Sequence, residues 1–90
     1  MAFYIFILKI MMKIHVKLSA TLREHVPGYD PEKGMEVEIA GGASALDLAA
    51  RLNIPAADIK FVMLNGRYRP MWTILEPNDR VAYFPAVGGG

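Results

Sequence analysis

"MKIHVKL", residues 12–18, alternates without a break over Lys13–Leu18: Ile14, Val16 and Leu18 share one side, Lys13, His15 and Lys17 the other. A period of two with one apolar face is the mark of a half-buried strand. The same pattern returns at Met35–Ile39, where Met35, Val37 and Ile39 point inward and Glu36 and Glu38 outward. Paired antiparallel, the two outer faces set Lys and His opposite Glu, a favourable cross-strand arrangement.

Between these strands "SATLREHVPGYDPEKG", residues 19–34, carries Pro27-Gly28 and Pro31 and is expected to be irregular and exposed. Gly41-Gly42 then make a turn. Ser44 caps a helix, and Asp47 three residues on completes a capping-box-like start. Ala45, Leu48, Ala49 and Leu52 follow helical spacing and form one apolar stripe; Asn53 and Pro55 end the helix after two to three turns. "FVMLNGRYRP", residues 61–70, reads as a strand, an Asn65-Gly66 tight turn and a short strand. Glu76-Pro77-Asn78-Asp79 forms a bend before the last strand, Val81–Pro85.

The order strand, strand, helix, strand, short strand, strand gives an α+β fold: a mixed sheet with one main helix packed on one face. If the first and last strands are neighbours in that sheet, they must be parallel and central. The β-grasp, or ubiquitin-like, topology is the simplest arrangement that does this. A single domain is expected over residues 12–90, with a flexible glycine tail at 88–90.

Composition narrows the function. The chain has 90 residues, 53% hydrophobic and 21% charged, which suits one compact core. Ten Lys plus Arg against nine Asp plus Glu leave a formal charge of +1, and the basic residues are scattered, so no nucleic-acid partner is expected. Without cysteine there is no disulfide, thiolate metal site or cysteine nucleophile. The apolar run Ala2–Leu8 falls far short of the ~20 residues that span a bilayer, and Lys9 follows it rather than preceding it as in a signal peptide. A cytoplasmic protein with no membrane partner is expected. Residues 1–11 read either as an upstream start before Met11 or Met12 or as a real extension of the first strand. The first reading is preferred because "MKIHVKL" already makes a complete strand.

No autonomous active site is legible. His15 and His25 lie on different elements with no second ligand at metal spacing and read as solvated surface residues, so no metal is expected. Ser44 is explained as a cap, and Glu36 and Glu38 as an outward strand face. Chemistry is left to the end of the chain, "VAYFPAVGGG", residues 81–90, where a strand runs straight into three glycines. Glycine has no Cβ, so such a segment enters a channel too narrow for any side chain. Three extended residues reach roughly 10 Å past the last packed one.

That ending, together with "ATLREH" (20–25) and "LNGRYRP" (64–70), resembles the ubiquitin-like sulfur carriers of the MoaD/ThiS family, most of all the MoaD type, the small subunit of molybdopterin synthase. MoaD-type chains end in aromatic-Phe-Pro-Pro-Val-x-Gly-Gly. Here Tyr83, Phe84, Pro85, Ala86, Val87, Gly88, Gly89 and Gly90 stand in those places, with Ala86 replacing the second proline. ThiS-type chains lack the Phe-Pro step. The resemblance covers Met12 to Gly90.

The resemblance implies a carrier rather than an enzyme, with no bound cofactor. An E1-like adenylyltransferase uses ATP to adenylate the carboxylate of Gly90, and a persulfide-bearing protein supplies the sulfur of a C-terminal thiocarboxylate. The large subunit of molybdopterin synthase, or another sulfur-accepting enzyme, receives it. Gly89 and Gly88 give access. Phe84, Met63 and Tyr68 are candidates for the docking surface, with Arg67, Arg69 or Arg80 at its rim. Phe84 and Met63 read equally well as core, and the arginines as solvated side chains. Three functions stay open: a carrier for molybdenum cofactor or for thiamine synthesis, a modifier ligated through Gly90 to lysines, or a β-grasp binding module with a frayed end.

Overall fold

The computed structural model describes residues 11–86; residues 1–10 and 87–90, which include Gly88, Gly89 and Gly90, lie outside the described residues. Five strands, β1 (Met11–Leu18), β2 (Met35–Ala40), β3 (Ile59–Leu64), β4 (Arg67–Arg69) and β5 (Arg80–Pro85), and one α-helix, α1 (Ala45–Arg51), appear in the order read from the sequence. The sheet runs β2-β1-β5-β3-β4. β1 pairs antiparallel with β2 and parallel with β5, while β3 pairs antiparallel with β5 and β4. This is the β-grasp: first and last strands parallel and flanked on both sides.

Alternation decides which face carries the core. Met12, Ile14, Val16 and Leu18 of β1 are buried, with Val81 and Tyr83 of β5 and Val62 of β3 beside them. Ala45, Leu48 and Ala49 of α1 close the layer, and Ile39, Ile54 and Leu75 join the same cluster. Each fully buried large apolar side chain contributes about 1.5–3 kcal/mol relative to exposure. On the opposite face Lys13 stands across from Glu38 and His15 across from Glu36, the register the sequence implied. Lys13 Nζ and His15 Nδ1 lie 3.7 and 3.4 Å from the Glu36 carboxylate.

Local signals fix the connections. Ser44 and Asp47 form a reciprocal capping box, the Ser44 hydroxyl accepting from Asp47 N (3.1 Å) and Asp47 Oδ2 from Ser44 N (2.9 Å). Asn53, with φ of 62°, takes the chain out of the helix. Asn65 and Gly66, with φ of 52° and 84°, make the two-residue turn that joins β3 to β4. Asp79, buried, braces the last bend: its carboxylate accepts from Asn65 Nδ2 (2.8 Å) and Glu76 N (2.7 Å).

The connector after β1 departs from expectation. Ala20–His25 form a 3-10 helix and Leu22 is buried in the core. Val26 and Tyr29 pack against the same cluster, and the Tyr29 hydroxyl accepts from Leu18 N (2.8 Å). The segment thus packs on the core through Leu22, Val26 and Tyr29, while Pro27-Gly28 and residues 30–33 are the exposed turns the sequence implied. A second 3-10 turn at Ala56–Asp58, not read from the sequence, leads into β3.

Candidate functional site

β5 delivers the chain terminus, and it is held on every side. Its Tyr83 is fully buried and donates its hydroxyl to Ala45 O across the layers at 2.6 Å. Burial pushes that phenol far above its ordinary value, because the charged form has no water to stabilise it there. Ser19 N donates to Tyr83 O (3.2 Å), and Pro85 lies opposite Ile59. The last described tie is Ala86 N to Asp58 O at 3.2 Å. The scaffold is thus fixed up to the residue before Val87, four positions from the end of the chain. The proposed reacting residue Gly90 and its neighbours Gly89 and Gly88 lie outside the described residues.

Beside this root a cleft of about 340 Å³ lies between the two 3-10 segments, lined by Thr21, Glu24, His25, Ala57, Asp58 and Ala86 among others. His25 Nε2 stands 3.1 Å from Asp58 Oδ2 across it. His15 and His25 are partly exposed surface side chains, and each faces a carboxylate. Among the described residues no three of His, Cys, Asp and Glu group as metal ligands would.

The helix-free face of the sheet divides in two. The β2–β1 half is charged, with Lys13, His15, Lys17, Glu36 and Glu38. The β5–β3–β4 half is apolar and aromatic. Phe61 stacks on Phe84 with ring centroids 4.5 Å apart and planes 15° from parallel, and Phe61 meets Tyr68 at 5.1 Å. Met63 stands opposite both Tyr68 and Ala82 in the ladder. The structure brings Phe84, Met63 and Tyr68 together on one face; Phe84 and Met63 are half-buried there, outside the core cluster, and Tyr68 is 70% exposed.

A family model for the Mut7-C ubiquitin domain matches residues 11–88. The chain belongs to the Mut7-C ubiquitin family. No curated protein matches it. Among solved structures, the Haloferax volcanii HVO 2177 protein is similar at 27% identity, with a TM-score of 0.72 over 91% of this chain and 90% of that one. A Pyrococcus furiosus protein assigned as molybdopterin converting factor, subunit 1, is similar at 25% identity, TM-score 0.65, over 84% of this chain and 99% of that one. The small archaeal modifier protein 1 of H. volcanii, at 21% identity and TM-score 0.66 over 84% and 99%, shares the fold.

Within this Mut7-C ubiquitin domain Phe61 and the three arginines change the picture drawn from sequence. Phe61, not singled out there, is the middle ring of the aromatic face. Arg67 and Arg69 alternate with Tyr68 along β4, so they stand on the other side of the sheet from Phe84 and Met63. Arg80 is the arginine on the aromatic side, opposite His15 in the ladder and beside Lys17, Met63 and Ala82 around a shallow cleft.

Proposed function

We propose that this protein is a ubiquitin-like sulfur carrier, most like the MoaD type, that works through the carboxylate of Gly90. One observation carries the reading: a Phe84-Pro85-Ala86-Val87 step that begins inside the central strand β5, with its last tie from Ala86 to Asp58, leads into three closing glycines. A rigid body with a side-chain-free end three residues long suits a partner that must reach the terminal carboxyl through a narrow channel. The family match and the likeness to a molybdopterin converting factor subunit support it.

In this reading an E1-like adenylyltransferase joins the Gly90 carboxylate to AMP, releasing pyrophosphate from ATP. A persulfide on a donor protein attacks the acyl carbon and AMP leaves. A second thiol cleaves the resulting S–S bond, leaving the thiocarboxylate on Gly90 and a disulfide on the donor. The chain itself catalyses none of these steps. Its aromatic face, Phe61, Phe84, Met63 and Tyr68, docks the partner, and Arg80 and Lys17 border it. The receiving enzyme is the large subunit of molybdopterin synthase, which places the protein in molybdenum cofactor synthesis in the cytoplasm. Domain bounds of 12–90 go with this reading.

Intact-mass spectrometry of protein from its native host tests it. A species heavier by the difference between one sulfur and one oxygen, mapped to Gly90, is the expected result; its absence when the activating enzyme is present and active rules the carrier out. The fold shared with small archaeal modifier protein 1 keeps a second reading, a modifier joined through Gly90 to lysines. An isopeptide-linked Gly90 remnant on other proteins would favour that reading instead.

A further inference from the structure

Basic residues that lie far apart in the chain meet on the helix-free face. The β1–β5 register sets His15 opposite Arg80 and Lys17 opposite Ala82. Lys33, just before β2, joins them around a cleft of about 310 Å³ completed by Met35 and Asn78. Lys17 and Arg80 also line a second cleft, of about 330 Å³, whose other walls are Met63, Gly66, Val81 and Ala82. Among the described residues no carboxylate lines either one. Both are open and at the small end of the ~300–1,000 Å³ of ligand pockets, so they suit the side chains of a docked segment better than an enclosed small molecule.

The charge of this cluster is uncompensated. Among the described residues the ion pairs are Lys13–Glu36, His15–Glu36 and His25–Asp58, so Lys17, Lys33 and Arg80 have no carboxylate partner. Lys17 and Arg80 are also braced. Lys17 Nζ donates to Glu32 O (3.1 Å), and its stem lies over Gly34, where a Cβ would come 3.4 Å from both Cδ and Cε. Arg80 N donates to Asn65 Oδ1 (2.9 Å), which fixes the backbone that carries the guanidinium. A cation held in place beforehand loses less freedom when a partner arrives. Glu36 and Glu38 of β2 flank the cluster and oppose a polyanion laid across the face. A single carboxylate among Lys17, Lys33 and Arg80 avoids them.

We propose that the activating enzyme docks on these two clefts through an extended segment that sets an Asp or Glu among Lys17, Lys33 and Arg80 and an apolar side chain beside Met63 and Ala82. In the ladder Lys17, Ala82 and Met63 follow one another across β1, β5 and β3, so the cationic and apolar positions are next neighbours. Side chains two apart on an extended strand point the same way about 6.6 Å from each other, a spacing that reaches from one cleft to the next. The inference rests on the carrier reading and adds to it the chemistry of the partner's docking segment, acidic next to apolar. Phe84 and Tyr68 then supply apolar area, while Lys17 and Arg80 select the partner and set its register.

Steady-state adenylation of the full chain by the E1-like enzyme tests it. Arg80→Glu and Lys17→Glu are compared with Arg51→Glu, which makes the same change of charge at the end of the helix. For the first two, KM for the carrier is expected to rise at least about tenfold with kcat nearly unchanged, because like charges set together across an interface are strongly disfavoured; for Arg51→Glu it changes less than about threefold. The wild-type KM is expected to rise as salt is added. A wild-type KM insensitive to salt overturns the proposal even if the variants fail to fold. Unchanged KM in Arg80→Glu and Lys17→Glu overturns it while leaving the carrier reading intact. Equal losses in all three variants assign the effect to overall charge, and displacement of the enzyme by single-stranded DNA assigns the cluster to a polyanion; either overturns it. A wild-type chain that the enzyme does not adenylate removes the carrier reading and this inference with it.

Discussion

The hydroxyl of Tyr83 donates to the carbonyl of Ala45 at 2.6 Å, tying the central strand β5 to the first turn of the helix that covers it. This buried bond links the element that carries the tail to the other layer of the fold. Tyr83→Phe leaves the Ala45 carbonyl without that donor and is expected to cost about 1–3 kcal/mol in denaturant melts. The pH dependence follows from the raised phenol. In the unfolded chain it ionises near its ordinary value of 10.0, while the fold holds it neutral well above that. Its contribution is therefore whole below about pH 10 and is lost as the pH rises further. Stability is expected to fall progressively as the pH rises above about 10, and to fall less in Tyr83→Phe.

Gly34 separates a clash from a backbone penalty. Its φ is +71° and an added Cβ would sit 2.7 Å from Val16 O, a backbone atom of the neighbouring strand. Gly28 has φ of +80° with nothing within 4 Å of the same position. Gly28→Ala is expected to cost about 1–2 kcal/mol, the left-handed penalty alone. Gly34→Ala adds the displacement of β1 or β2 and is expected to cost clearly more. Thermal melts of the two variants side by side give the difference; equal losses would show that the edge strand β2 yields freely.

What the sequence revealed depended on periodicity and on capping. The alternation of Lys13–Leu18 and Met35–Ile39, the Ser44–Asp47 box and the Asn65-Gly66 turn each encode geometry within a few residues, and each is found where it was read. Leu22 escaped because one apolar residue in a polar stretch has no period; only the tertiary gap at the end of the sheet makes it core. Phe61 escaped for a different reason. A register shift between Ile59 and Phe61 breaks the alternation of β3, so Ile59 packs against the core while Phe61 turns outward to Phe84. The side taken by Arg67 followed from strand pairing, which a linear reading of "NGRYRP" does not supply.

Deleting Gly89 and Gly90, or appending a phenylalanine after Gly90, is expected to abolish thiocarboxylate formation while leaving the melting temperature unchanged. The last described backbone tie is at Ala86, so neither change removes a contact of the described fold. Intact mass after incubation with the activating enzyme, ATP and a persulfide donor measures the first effect, and a thermal melt the second. A binding module with an idle end would instead keep its function in both variants.

The aromatic face makes the sharpest prediction about partners. Tyr68 is 70% exposed and meets Phe61 at 5.1 Å, so Tyr68→Ala removes surface rather than core, and stability is expected to change by no more than about 0.5 kcal/mol. Aromatic anchors at the centre of an interface often carry 2 kcal/mol or more, so affinity for the activating enzyme is expected to drop at least about tenfold. Glu38→Gln on the charged half of the same face serves as the control, with affinity changed by less than about threefold, since rim charges contribute little to affinity. Titration calorimetry with the E1-like enzyme reads both. Equal losses would spread the interface over the whole sheet; a loss for Glu38→Gln alone would move docking to the charged half and free Phe84 and Met63 of any partner role.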